Sequence, residues 1–573
     1  MPKTHAEILF FCYLCVIDKT KHILYIMKKL LNIVLAAVLG VAAVACSSAE
    51  KMAKDAENVT VVCTPSPLEC VAGQVTAQVA VTYPDGYFHP KAILEVTPVI
   101  VYEGGEVAAP VLTYQGEKVK NNYKVVPKSG STVKETIKFD YVPGMEKSYM
   151  ELRGVAVMKN KSVTLPTKKV ADGVNTTYML VKQTGLVAYK ADNYQEVIPQ
   201  TAEGQILYLV NSAEVRNKEL NGQSVKDFQA ALDEISANNR MTLKGTEVVA
   251  YASPEGGESL NAKLSDKRAG TAEKAWKKVV KGHEATAPEV KSIGQDWEGF
   301  KELVEASDIK DKDLILRVLS MYSDPAVRES EIKNMSEIYK ELKGEVLPEL
   351  RRARFIANVE FQNYTAEELE TLVEENIDVL DEEALLRAAS LLKDPVKKIE
   401  VYKKAVSKYG SDRARFNTGV AYLALGKNAE AEAAFSKVLT DDADLKNAKG
   451  VVALRNGDLN EAARLFAASG NEQSVANMGV IDILNGNYDK AAKELENAPG
   501  CCHNTVLAYI LTNQLDKAMA TAKCQDAPVQ YLKAIICARQ GKVAEAKDYL
   551  RKASTNPKFA ERAVKDIEFA GMN

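Results

Sequence analysis

The chain has 573 residues, with 74 Lys and Arg against 77 Asp and Glu and a net charge of −3. Beyond residue 45 the balance is 69 basic to 75 acidic side chains, which gives no electrostatic basis for binding nucleic acid. His89, His283 and His503 are the only histidines after that point, so a site built on several imidazoles is all but excluded.

Residues 1–26, with Phe10, Phe11, Cys12, Tyr13, Leu14 and Cys15, stand ahead of a complete signal that itself opens on methionine. They are read as a non-native N-terminal extension. In residues 27–45, Met27 is followed by Lys28-Lys29 and a 16-residue apolar run from Leu30 to Ala45, broken by Asn32. That run is shorter than the roughly 20 residues a spanning helix needs. A basic flank, a short apolar core and small residues at its end are the pattern of a secretory signal. Its end, Ala43-Val44-Ala45-Cys46-Ser47-Ser48, resembles a bacterial lipobox, with Ala43 where leucine is usual. The resemblance implies that Cys46 is acylated and becomes the mature N-terminus, attaching the protein to the outer membrane through lipid. The periplasmic or cell-surface face is left open. Residues 46–57 are polar and read as a tether.

From 58 to 190 the texture is β. Val59–Val62, Thr76–Thr82, Ile93–Val101 and Lys134–Val142 alternate or run in β-branched residues, between turns at Pro84-Asp85-Gly86, Gly104-Gly105, Lys128-Ser129-Gly130 and Pro143-Gly144. This spacing predicts an antiparallel β-sandwich. Cys63 and Cys70 flank Pro65-Ser66-Pro67 and form either a disulfide across a tight loop or two core thiols.

A second module is expected over 203–362. Ile206–Val210, Thr246–Ala252 and Ala353–Phe361 read as strands, and Lys226–Ile235 and Glu258–Val280 carry helical apolar stripes. A helical insertion at about 297–348 precedes the last strand. The order implies an α/β sandwich. The segment Ala250–Ala269 resembles the signature of OmpA-like peptidoglycan-associating domains in its strand end, Gly256, Asn261, Leu264-Ser265 and Arg268-Ala269. Asn211–Arg216 resembles that family's opening turn, and Arg351-Arg352 its closing strand. The resemblance implies a pocket for the charged groups of a peptide-stem diamino acid. Arg268 sits at the family's arginine position and pairs with a carboxylate there. Ser253 stands at the family's aspartate position and brings no counter-charge. Glu255 substitutes for it only if the turn aims it inward. Asn261, two helical turns before Arg268, shares its face. The alternative is a structural arginine in a pocket that has lost its ligand.

Residues 365–573 are helical in pattern, starting from a capping box at Thr365-Ala-Glu-Glu368. Gly419, Tyr422, Gly426, Ala431 and Phe435 set a motif repeated at Gly450, Gly457, Ala462 and Phe466, and again at Gly479, Gly486, Ala491 and Leu495. Asn513 with Ala518, then Gly541, Ala546 and Leu550, continue it. The spacing resembles tetratricopeptide repeats, clearest over 413–552, and implies a solenoid whose concave face binds a protein or peptide. Cys501, Cys502 and Cys524 fall at neighbouring helix ends and suit a disulfide from Cys524 to either partner, or remain thiols. A metal site at Cys502, His503 and Cys524 lacks paired C-x-x-C spacing.

Phosphate-loop, H-E-x-x-H and G-x-S-x-G motifs are absent. The expectation is a multidomain α+β chain of β-sandwich, OmpA-like α/β sandwich and all-α solenoid. No enzyme, cofactor or resident metal is expected. The chain reads as an envelope scaffold that binds a protein and docks on peptidoglycan or another envelope protein. The rival is a surface-exposed lipoprotein supporting adhesion or a fimbria-like assembly, with the OmpA-like module a spacer.

Overall fold

Strand-length alternation of apolar and polar residues sets up the first sheets. In the computed structural model, which describes residues 48–159, 161–499 and 502–572, they lie in a unit made of the described residues up to Tyr189 together with Gly426 onwards. The second unit is Lys190–Leu425. The extension, the signal and Cys46 lie outside the described residues, as does Cys501.

In the first unit a short helix α1 (Ser48–Lys54) precedes two sheets. One has the order β11 (Val174–Asn175), β1 (Thr60–Val71), β2 (Gln74–Tyr83), β7 (Ser131–Asp140). The other runs β10 (Lys168–Asp172), β8 (Ser148–Met158), β3 (Ile93–Tyr102), β5 (Leu112–Gly116), β6 (Lys124–Val126). Two short strands, β4 (Gly105–Ala108) and β9 (Lys161–Thr164), pair with β3 and β8. On β2 the buried residues are Val75, Ala77, Val79, Val81 and Tyr83, every second position; β8 buries Met150, Leu152 and Ala156 likewise. The period of two is that of a sheet with one face in a core. The strands end at Asn175, short of the residue 190 expected. Residues 181–195 belong to no regular element.

Cys63 and Cys70 are both free and share strand β1, opposite Val79 and Val75 of β2. Four register positions on β2 span roughly 13 Å, twice the reach of a disulfide. The disulfide expected across a tight loop is therefore not formed. The Cys70 thiol lies 3.8 Å from the Tyr178 hydroxyl.

The helices of this unit are α13 (Asn428–Phe435), α14 (Ala443–Arg455), α15 (Leu459–Ser469), α16 (Glu472–Leu484), α17 (Tyr488–Leu495), α18 (His503–Leu511), α19 (Leu515–Thr521), α20 (Ala527–Arg539), α21 (Val543–Ala553) and α22 (Pro557–Lys565). Successive helices pack as antiparallel pairs. A Cβ on Gly450 would come within 2.6 Å of Phe466, and one on Gly479 within 2.7 Å of Leu495. The repeated glycine thus lets the aromatic or leucine of the second helix rest on the first. The chain's end is tied to the sandwich: Glu568, buried, accepts from Asn175 Nδ2 (2.8 Å) and Thr177 Oγ1 (2.7 Å) and pairs with Arg539.

In the second unit the sheet order is β12 (Val197–Leu207), β15 (Arg352–Gln362), β13 (Met241–Ala252), β14 (Pro288–Gln295). Strands β13 and β14 are parallel, and β15 runs antiparallel to both its neighbours. After the one-turn α2 (Asn217–Leu220), helices α3 (Gln223–Ala237) and α4 (Glu258–Val279) cover one face through Phe228, Leu232, Ala272 and Trp276, against Val248 and Phe355. This is a two-layer α/β sandwich.

The insertion forms α5 (Trp297–Ala306), α6 (Lys312–Met321), α7 (Pro325–Asn334) and α8 (Ser336–Glu345) around its own core of Phe300, Val304, Ile315, Leu342 and Leu350. Buried Asp296 caps α5 through the Gly299 N–H (2.9 Å) and pairs with Arg352 (2.8 Å), so one carboxylate fixes the insertion's entry to its exit. Helices α9 (Ala366–Glu375), α10 (Glu382–Leu391), α11 (Pro395–Tyr409) and α12 (Asp412–Ala424) follow. The Thr365–Glu368 capping box is present at both hydrogen bonds.

Candidate peptide-binding groove

An asparagine inside a helix competes with the backbone for hydrogen bonds, and a buried one must find partners. In the first unit Asn447 on α14 and Asn477 on α16 are buried. Their partners belong to the extended segment that leaves the β-sandwich. Asn477 Oδ1 accepts the Leu186 N–H (2.7 Å), and its Nδ2 donates back to the Leu186 carbonyl (2.9 Å). That carbonyl also accepts from Asn447 Nδ2 (2.8 Å), while Asn477 Nδ2 reaches Asn447 Oδ1 (2.9 Å). Asn504 on α18 repeats the pattern with Lys182: N–H to Oδ1 at 2.8 Å, Nδ2 to carbonyl at 2.9 Å. A primary amide carries one acceptor and two donors, so it can match both polar groups of one residue.

Neighbouring side chains complete the seat. Arg455 Nε donates to the Thr184 carbonyl (2.6 Å). Buried His503 places Nε2 2.7 Å from the Leu180 carbonyl. Burial pushes its pKa down to about 4, against that hydrogen bond, so the ring is neutral and donates. Gly185 has φ +67°, and a Cβ there would meet Val451 at 2.6 Å. Leu186, Val480 and Leu495 share a small cavity beneath the segment.

The second unit contains the same arrangement. Asn417 on α12 is buried, accepts the Lys190 N–H (2.7 Å) and donates to the Lys190 carbonyl (2.9 Å). Glu383 accepts the Asn193 N–H (2.7 Å), and Tyr194 donates to the Tyr364 carbonyl (2.9 Å). The gripped residues 182, 186 and 190 are four apart. Sequence reading did not single out these asparagines. A signal existed: Asn417, Asn447 and Asn477 precede Gly419, Gly450 and Gly479 by two or three residues in each repeat.

The four residues expected in the α/β module do come together. Ser253 donates to Glu255 (2.8 Å), and Asn261 Nδ2 donates to the carbonyls of Ser253 (3.1 Å) and Gly256 (2.7 Å). Glu255 is turned inward, but onto Arg351 (2.8 Å). Arg268 is buried over the Tyr208 ring, and its donors go to main-chain carbonyls: Ser212 (2.9 Å), Tyr251 (2.9 Å) and Leu209 (3.2 Å). Burial lowers its pKa to about 10, which leaves it cationic at neutral pH. Among the described residues no carboxylate lies within ion-pair distance of it.

The Cys502 and Cys524 Sγ atoms lie 3.4 Å apart, beside the start of α18 and the end of α19. Among the described residues no cluster of three or more His, Cys, Asp or Glu side chains could hold a metal ion, and no helix is long and apolar enough to cross a membrane.

Residues 399–446 match the family model for the tetratricopeptide repeat. A search of curated proteins finds no match. Among solved structures, a tetratricopeptide repeat protein from Parabacteroides merdae ATCC 43184 is 15% identical, covering 35% of this chain and 91% of its own, at a TM-score of 0.28. The Cut9–Hcn1 hetero-tetramer of APC/C is 11% identical over 54% of this chain and 66% of that one, with a TM-score of 0.31. YrrB, described as a TPR protein with an unusual peptide-binding site, is 20% identical over 35% of this chain and 100% of its own, with a TM-score of 0.18. The match places a tetratricopeptide repeat, a fold of protein–protein interaction, at residues 399–446, within a C-terminal region of successive paired helices.

Proposed function

We propose that the protein is a non-enzymatic, lipid-anchored scaffold of the outer membrane whose array binds polypeptide in extended form. The observation that carries this is the set of asparagines whose side-chain amides pair with both polar groups of single main-chain residues. Such pairing reads the backbone, which suits a scaffold rather than a site for chemistry. The lipobox-like Ala43–Ser48 supports anchoring through Cys46. Replacement Cys46→Ser tests that part: metabolic labelling with a fatty acid is lost if Cys46 carries the lipid and is retained if it does not.

On this reading the α/β module, which resembles OmpA-like domains in sequence, docks on peptidoglycan at Ser253, Glu255, Asn261 and Arg268. Co-sedimentation of the chain with purified sacculi tests the docking. One observation favours the second reading, a surface-exposed lipoprotein in an adhesive or fimbria-like assembly: Arg268 spends its hydrogen bonds on the module's own carbonyls, as a spacer's core residue does. Protease treatment of intact cells separates the two, since only a surface chain is shaved.

A further inference from the structure

The inner groove of the first unit already holds a ligand, and that ligand is the chain itself. Residues 181–189 form no strand or helix, and side-chain donors and acceptors from the array supply their polar contacts at Lys182, Thr184 and Leu186. Gln183, Thr184, Ala188 and Tyr189 are exposed, so little apolar surface holds the segment down. A segment fixed by amide pairs with few buried side chains sits at the low-stability end of a fold. Its seat is strongly shaped nonetheless: the left-handed Gly185 fits over Val451 where a side chain would collide.

We infer that residues 182–186 are a built-in pseudo-ligand, and that the array's external partner is an extended polypeptide segment that displaces them. The partner presents free main-chain N–H and carbonyl groups four residues apart, at the places of Lys182 and Leu186, and a glycine immediately before the second. Between those places Gln183 and Thr184 are exposed, so the partner's side chains there are unconstrained. Tethering gives the internal segment a high effective concentration, so an external segment binds weakly until the internal one is loosened. This rests on the proposal that the array binds extended polypeptide and adds what occupies it and what the occupant excludes.

The test uses the detergent-solubilised full chain and a fluorescent peptide of residues 180–192. The wild-type chain should leave peptide anisotropy unchanged, whereas Gly185→Val, which evicts the internal segment without touching the groove, should bind the peptide saturably. Adding Asn447→Ala and Asn477→Ala to that variant should weaken binding by roughly tenfold or more. A peptide that itself carries Gly185→Val should not bind. Cooperative unfolding of each variant, followed by circular dichroism, verifies the fold. Trypsin cleavage after Lys182 gives a second readout: slow in the wild type, faster in Asn447→Ala/Asn477→Ala. Equal peptide binding to wild type and Gly185→Val, or none to either, overturns the inference. If cleavage still responds to the asparagines in that case, the groove grips extended chain but does not exchange it. If cleavage is also unmoved, the underlying reading of the array falls as well.

Discussion

Asn477 and Leu186, 291 residues apart in sequence, are joined by two hydrogen bonds in which one side-chain amide answers both polar groups of one main-chain residue. Asn504 and Lys182 repeat the relationship, as do Asn417 and Lys190 within the second unit. An array of this kind acts on its own chain before it acts on any other. Within each unit the helices' asparagines splint the stretch of irregular chain they hold.

The splint should loosen in acid. His503 is buried and neutral, with its pKa held near 4 by burial, and it donates to the Leu180 carbonyl. The unfolded ring titrates near 6.5. The native state therefore resists the proton that the unfolded state takes up: stability is full above about pH 6.5 and declines as pH falls toward 4. The loss reaches roughly 3 kcal/mol. Thermal unfolding against pH should show this slope, and His503→Gln should flatten it.

Glu568 should titrate in the same sense at lower pH. Burial pushes its carboxyl up, but Arg539, Thr177 and Asn175 outweigh that and hold it below the usual carboxylate range. Its contribution is present above about pH 4.3 and is lost as pH falls through the lower native value. Glu568→Ala takes the partner from the half-buried Arg539 cation, at a cost of about 1.5–3 kcal/mol by chemical denaturation at neutral pH.

Arg268 separates a structural role from a ligand-binding one. Its three carbonyl partners come from the loop after β12 and from the end of β13, so Arg268→Ala removes three part-buried hydrogen bonds at once. A typical net hydrogen bond is worth about 1 kcal/mol, so the loss should be roughly 2–3 kcal/mol. Unfolding of the α/β module should therefore shift to lower denaturant. If sacculus binding exists, Glu255→Gln should weaken it with a smaller loss of stability, because Glu255 is less buried than Arg268.

The thiols of Cys502 and Cys524 are in contact, and a dithiol–disulfide exchange reagent should join them with loss of two hydrogens. Closing a loop of this size in the unfolded chain adds roughly 3 kcal/mol. Alkylation with and without reductant, read by mass, should show the pair protected after oxidation, and the melting temperature should rise with it. Cys537, buried beside Glu545, should be slow to alkylate in either state, since burial pushes its pKa up.

Local signals carried most of the architecture. The capping box at Thr365 and Glu368 is explicit in four residues, and the small-residue spacing from Gly419 to Ala546 marks paired helices because close helix crossings exclude side chains. Strand β14 was not expected: its residues Glu289, Val290, Ser292 and Ile293 are largely exposed at a sheet edge, so no apolar alternation announces it. The segment at 181–195 was harder still. Its conformation is set by Asn447, Asn477 and Asn504, between 261 and 322 residues away, and asparagine is too common in helical loops for the pattern to stand out. Of the two readings of Cys63 and Cys70 the core thiols hold: Pro65 and Pro67 suggested a tight turn, whereas they sit in a bulge of one continuous strand.

The most direct test is amide hydrogen exchange of residues 181–192 at single-residue resolution in the full chain. Slow exchange is expected at Lys182, Leu186 and Lys190, with fast exchange at Gln183, Val187 and Ala188 between them. Asn477→Ala should release Leu186 selectively. Uniformly fast exchange across the segment, or protection at Leu186 unaltered by Asn477→Ala, would contradict the claim that the array grips its own connecting chain.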